Sequence, residues 1–179
     1  RALSKYHEAN PYSVTIDGNN YTIQYDPGDS TSNLFGGNSN WRGPVWMPIN
    51  YLIIRSIRKY GEFYGDHLKV ECPVGSGNMM NLTEVSQFIT DRVISLFAKD
   101  TKGNRKSYGD YNWFYKKPGN EDLVLFFEYF HGDSGAGLGA NHQTGWTSLV
   151  ADLIGAREVK DEEWKEGSGY EVFVEEDEE

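Results

Sequence analysis

The residues best suited to chemistry lie in two stretches. The first, residues 35–51, reads FGGNSNWRGPVWMPINY and sets Trp41 and Trp46 five positions apart around Arg42, among glycines and amides that include Asn50. A pyranose offers an apolar face to aromatic rings and a rim of hydroxyls to Asn, Gln and Arg, so this composition suits a sugar platform. It suits a packed connector equally, with both indoles in the core and Arg42 satisfying helix carbonyls. The second stretch, residues 123–146, reads LVLFFEYFHGDSGAGLGANHQTGW, and Glu128 sits there inside an otherwise apolar and aromatic run. Burying a carboxylate is costly unless it is paired or hydrogen-bonded. One explanation is an ion pair with Arg42 or Arg92; the sharper one is a general base or nucleophile tuned by its surroundings.

Other chemistries find less support. Gly135, Gly137 and Ala140 satisfy G-x-G-x-x-A, but a dinucleotide site needs a strand before the motif and a helix opening inside it. His142, Gln143 and Thr144 intervene and no following strand is evident, so the glycines read as a loop lying flat beside a ligand or a helix. The histidines, His7, His67, His131 and His142, are scattered without ligand spacing, so no metal site is expected, and no cofactor. The chain has no G-x-S-x-G elbow, and Cys72 lies in a Pro/Gly loop without a histidine partner, which removes nucleophilic Ser or Cys chemistry.

These residues must be positioned by helices joined through long polar loops. Residues 12–25, YSVTIDGNNYTIQY, are the exception: Val14, Ile16, Tyr21 and Ile23 alternate with polar residues about Asp17–Asn20, the pattern of a β-hairpin. From Pro48 to Tyr64 a helix is predicted, its stripe being Ile49, Leu52, Ile53, Ile57, Tyr60 and Tyr64, with Gly65 just past its end. A second runs from Leu82 to Ala98 behind an Asn81/Glu84 capping box, with Val85, Phe88, Ile89, Val93, Leu96 and Phe97 on one face. Asn81 also opens a glycosylation sequon, but capping is the favoured reading. A third helix is predicted over 123–130 behind Asn120, Glu121 and Asp122, and a fourth over 144–154, stopping at Gly155. Residues 170–174 could form a short strand. No internal repeat is visible, and loops of this length on a helical scaffold usually carry function.

Composition bounds the partners. The 179 residues, 38% hydrophobic and 15% aromatic, can build one core. Of the net charge of -10, eight charges belong to residues 157–179, which hold 11 acidic and 3 basic side chains. The best basic cluster, Arg55, Arg58 and Lys59, reads as the solvated face of a helix and is too short for a phosphate-binding stripe, so no nucleic acid is expected. No apolar run reaches the roughly 18 residues of a membrane span. Arg1 is not a natural start and reads as the edge of a fragment. A single cysteine favours a reducing compartment such as the cytoplasm over the endoplasmic reticulum lumen.

The strings NSNWRGPVWMPINYL and EYFHGDSGAGLGANHQTGWTSLV resemble the C-terminal part of glycoside hydrolase family 63, which includes processing α-glucosidases and bacterial enzymes acting on glucosides and mannosylglycerate. The resemblance runs over roughly residues 1–154 and leaves the acidic tail outside. It implies a mainly α fold, part of an (α/α)6 toroid with the hairpin at 12–25 as an appendage, and hydrolysis with inversion of the anomeric carbon. On that footing residues 1–156 are the C-terminal part of the catalytic domain and 157–179 a flexible tail. Glu128 takes the position of the family's general base, Gln143 that of a sugar-binding glutamine, and Trp41 and Trp46 those of pocket aromatics. Arg42 and Asn50 are then expected to hydrogen-bond the sugar or Glu128, with His142 and Trp146 as secondary candidates.

One departure limits the reading. Inversion needs two carboxyl groups roughly 6.5–9.5 Å apart, one protonating the leaving oxygen and one activating water. The family's acid is an aspartate from a more N-terminal segment, and none here matches it, so the segment alone is expected to be inactive and to need the N-terminal remainder of the same enzyme. Asn40 replaces a tyrosine common in the family, which bears on pocket specificity. An oligosaccharide or small glycoside is the expected partner. The competing class is a carbohydrate-binding protein that keeps the barrel and has lost catalysis.

Overall fold

The computed structural model describes residues 4–31 and 44–158. Trp41, Arg42, Asn40, residues 170–174 and nearly all of the acidic tail therefore lie outside the described residues. Two helices dominate. α2 (Met47–Tyr64) opens with Pro48 in its first turn and stops at Gly65, which has a positive φ of 52°. α3 (Leu82–Ile94) is closed at its N-terminus by the capping box: Asn81 accepts the Glu84 amide (2.9 Å) and Glu84 accepts the Asn81 amide (2.8 Å). The Asn81 side-chain amide also donates to Asp66 (3.0 Å), so the sequon asparagine is committed to structure. The helix ends at Ile94 instead of continuing to Ala98. Leu96 and Phe97 donate to the carbonyls three residues back, which tightens the final turn.

The order along the chain is α1 (Tyr6–Ala9), β1 (Tyr12–Ile16), β2 (Asn19–Ile23), α2, β3 (Lys69–Glu71), β4 (Met79–Asn81), α3, α4 (Asn112–Tyr115), β5 (Tyr129–Phe130), β6 (Gly137–Leu138), α5 (Thr144–Thr147) and α6 (Leu149–Glu158). The strands form three separate antiparallel pairs. β1–β2 is the hairpin expected from its alternation: Tyr12 faces Ile23 and Val14 faces Tyr21 across an Asp17–Gly18 turn with positive φ at both residues. β3–β4 had no sequence signal. The structure is thus helical with small β-hairpins.

Three further sequence expectations change. Residues 123–130 are not a helix: Phe126 bridges His142 and the run ends in β5. The aromatic residues of this run suit extended backbone as well as helix, and its would-be cap is a turn in which Glu121 accepts the Gly119 amide (2.8 Å) and Leu123 donates to Asn120 (3.1 Å). The fourth helix is broken at Ser148 into α5 and α6, and α6 runs through Gly155 to Glu158. Its last turn is tied to α3 by Arg157 and Asp91 (2.9 Å). On α2 the buried residues are Met47, Ile54 and Gly61, seven apart, while Ile49, Leu52, Ile53, Tyr60 and Tyr64 of the expected stripe are exposed. The face chosen is the one that lets α3 approach most closely. A Cβ on Gly61 would lie 2.6 Å from the Thr83 amide nitrogen and 2.4 Å from its Oγ1.

The core joins α2, α3 and α6 to β5. Met47, Ile54, Val93, Ile94, Phe97, Val150 and Leu153 gather around a fully buried Phe130. Tyr51 on α2 donates to Asp152 on α6 (2.6 Å). The N-terminal segment is fastened to the loop after β5, where Gly132 donates to the Pro27 carbonyl (2.7 Å) and Tyr25 to Asp133 (2.6 Å).

Candidate active site

Glu128 is positioned by a backbone fastened at almost every residue from 126 to 130. Phe130 exchanges both backbone hydrogen bonds with Val45 (2.9 and 3.1 Å) and pairs with Gly137 in β6. The Glu128 amide donates to the Ala140 carbonyl (2.7 Å), and the Gln143 amide donates to the Phe126 carbonyl (2.7 Å). The Phe127 carbonyl takes the hydroxyl of the fully buried Thr147 (2.7 Å). The T-G-W sequence thus lies against the glutamate segment because Gln143, just ahead of α5, and Thr147, at its end, donate to the carbonyls of the extended run.

Half-buried, the Glu128 carboxylate has its Oε2 accepting the Ala140 N–H at 3.1 Å. The anticipated arginine partner is not Arg92, whose guanidinium lies 5.7 Å from the Phe88 ring centroid. Among the described residues no cation pairs with Glu128.

Trp46 and Trp146 meet edge to face, centroids 5.6 Å apart at 80°. Trp46 follows Val45, the partner of Phe130, and Trp146 precedes Thr147, the partner of Phe127, so both indoles and the carboxylate depend on one backbone junction. Both indole N–H groups are buried without an acceptor among the described residues. Gln143 stands half-buried ahead of α5, its carbonyl accepting the Thr147 amide (3.0 Å). His142 is exposed, with Nδ1 2.7 Å from the Asn141 side-chain oxygen.

Asn50 has a different place. Its side-chain amide donates to the Trp46 carbonyl (2.8 Å), fastening the first turn of α2. It also lines a groove of about 320 Å³ with Val45, Arg92, Lys106, His131 and Ser134, which neither Glu128 nor the two indoles border. Asp133, on the same groove, is held below the usual carboxylate range by the hydroxyl that Tyr25 donates to it, and the same bond raises the Tyr25 phenol.

The glycine motif is not a nucleotide loop. Gly135 and Gly137 belong to the β5–β6 hairpin, and Gly137 lies flat against the Phe127 ring, with no helix opening inside the motif. Among the described residues no three His, Cys, Asp or Glu side chains gather closely enough to hold a metal ion, and no helix is long and apolar enough to cross a membrane. Gly139 and Thr147, and the role of Ala140 in holding the glutamate, carried no sequence signal of their own. The only hint was their position inside the Gly-rich run and the T-G-W.

The sequence model described as a mannosylglycerate hydrolase MGH1-like glycoside hydrolase domain matches residues 18–147, which include Glu128 and both stretches of unusual composition. The chain belongs to this glycoside hydrolase family. The resemblance to family 63 read from the two motifs is borne out. Among relatives, an uncharacterized Saccharomyces cerevisiae protein, YMR196W, is 51% identical over 156 residues, 86% of this chain and 14% of its own length. The mannosyl-oligosaccharide glucosidase of Saccharomyces cerevisiae is 30% identical over 68% of this chain and 12% of its own, and a probable mannosyl-oligosaccharide glucosidase of Schizosaccharomyces pombe is 25% identical over 66% and 11%. The chain therefore spans about a seventh or less of the length of the relatives it matches. No solved structure matches it.

Proposed function

We propose that this segment is the C-terminal part of the catalytic domain of an inverting α-glycosidase, an α-glucosidase in the first instance, in which Glu128 activates water as general base. The observation that carries the reading is the glutamate itself: a half-buried carboxylate fixed by the Ala140 amide, on a backbone junction shared with two indoles, in a chain of a glycoside hydrolase family. The relatives named as mannosyl-oligosaccharide glucosidases favour an oligosaccharide substrate. Trp46 and Trp146, with Trp41, form the apolar wall, and Gln143 and Arg42 hydrogen-bond the sugar. Asn50 serves by holding the turn that carries Trp46, and His142 is a rim residue.

In this reading the general acid, an aspartate, comes from sequence ahead of this segment, at the separation an intervening water requires, and residues 1–156 and 157–179 behave as domain and solvated tail. A larger (α/α)6 toroid accords with α2, which leaves Ile49, Leu52, Ile53 and Phe63 exposed, as a helix does when its neighbours lie elsewhere in the polypeptide.

The test is full-length wild type against Glu128→Gln, with α-glucosides and mannosylglycerate, following the released anomer by NMR. Wild type is expected to release the β-anomer, and the variant to keep its fold while losing turnover by about 100-fold or more. Near-normal turnover by Glu128→Gln sinks the assignment of the base. A folded wild type that binds sugars and hydrolyses none points instead to a carbohydrate-binding protein.

A further inference from the structure

We infer that the Gly139–Ala140 peptide is a positioning device for the Glu128 carboxylate, fixing one oxygen and leaving the other as the one that takes the proton from water; this rests on Glu128 being the general base. Two contacts carry it. The Ala140 N–H donates to Oε2 (3.1 Å), and a Cβ on Gly139 would stand 2.4 Å from that same oxygen, 2.9 Å from the Glu128 Cβ and 3.0 Å from Tyr129 Cε1. The peptide therefore lies directly on the carboxylate, closer than any residue with a side chain could. Gly139 also has a φ of +69°, which aims the following N–H while leaving no room for a side chain.

The chemical consequence concerns which oxygen works. A backbone N–H only donates, so the lone pair of Oε2 aimed at Ala140 is occupied while the base is ionised. Oε1 accepts no hydrogen bond among the described residues and belongs to a half-buried side chain. In hydrolysis an O–H bond of water breaks as its oxygen bonds to the anomeric carbon. The proton passes to Oε1, and the leaving oxygen departs with a proton from the general acid. A side chain at 139 would swing the carboxylate away from the water while leaving the sugar contacts of the pocket alone.

The alternative is that Gly139 serves only the turn, and a double-mutant cycle separates the two. Full-length wild type, Gly139→Ala, Glu128→Ala and the double variant are assayed on whichever of α-glucosyl fluoride and α-mannosyl fluoride wild type hydrolyses. Gly139→Ala is expected to lower kcat about 100-fold with little change in KM, since a misplacement near 1 Å suffices for that loss. In the Glu128→Ala background, where the clash with Oε2 is gone, Gly139→Ala is expected to cost less than about twofold, because the two positions act as one unit. Additive losses, or wild-type kcat in Gly139→Ala, overturn the inference while leaving the base in place. Turnover retained by Glu128→Ala overturns the reading beneath it. If Gly139→Ala does not fold, Gly139→Asn carries the same Cβ and tolerates positive φ. Recovery of folding in a Glu128→Gly background, which removes both Oε2 and the Cβ that an added side chain would meet, then reports the clash, and failure in both backgrounds overturns it.

Discussion

At the scale of single residues, Glu128 is where a local rule is broken and the molecule compensates. A carboxylate in the run Leu123–Phe130 conflicts with its surroundings, and the conflict made it legible in the sequence. Its compensation was not legible, because among the described residues it is a backbone N–H from a residue 12 positions away, and Arg92 does not pair with it. Thr147 shows the same kind of support: its hydroxyl donates to the Phe127 carbonyl, one residue before the glutamate. Thr147→Val keeps the shape and leaves that part-buried carbonyl without the Thr147 donor, an expected loss of about 1–3 kcal/mol. Urea unfolding checks the stability loss. In the full-length protein kcat should fall more than KM rises, since what moves is the strand beneath the base.

At the scale of elements, the readable ones carry their own instructions. α3 starts where Asn81 and Glu84 say it must, and Asn81→Ala is expected to cost about 1 kcal/mol by removing the cap, with the bond to Asp66 lost as well. A lowered melting temperature with unchanged helix content below the transition would bear this out; an unchanged midpoint would show the cap to be redundant. Residues 123–130 carry no such instruction. An aromatic run after Asn-Glu-Asp suits a helix start and a buried strand alike, and partners from residues 45, 140, 143 and 147 decide for extended backbone. The face that α2 buries is likewise set by its neighbours. The helix is apolar on several sides, and the choice among them rests on Gly61, whose missing side chain admits Thr83.

At the scale of the whole molecule, the N-terminal segment is held to the groove loop by a polar hinge that titrates from both sides. The Asp133 carboxyl is depressed by the Tyr25 hydroxyl, so its contribution is complete above the unfolded carboxylate pKa of about 4 and is lost as pH falls through the lower folded value. Tyr25 is raised by the same bond, so its contribution is complete below about pH 10 and is lost as pH rises through the folded value. Asp133→Asn should therefore differ from wild type in the pH dependence of its unfolding midpoint below about pH 4 and above about pH 10, with parallel profiles between. Identical profiles throughout would show that the contact carries no weight. The hairpin beyond this hinge keeps Tyr12, Val14, Ile16 and Tyr21 exposed on one face, and a two-stranded sheet with an uncovered apolar face is marginal by itself.

The sequence by itself determined the elements whose signals are local: the hairpin from alternation and the Asp17–Gly18 turn, α2 from its proline start and glycine stop, α3 from its capping box. It also carried the family, because W-R-G-P-V-W and the Gly-rich run before T-G-W are contiguous strings. Tertiary structure decided what depends on residues far apart in the chain. It set the extended course of 126–130, the face α2 buries, the meeting of Trp46 with Trp146, and the amide that holds Glu128. Each of these is fixed by steric fit or by a hydrogen bond between segments, and neither leaves a periodicity for the local sequence to show.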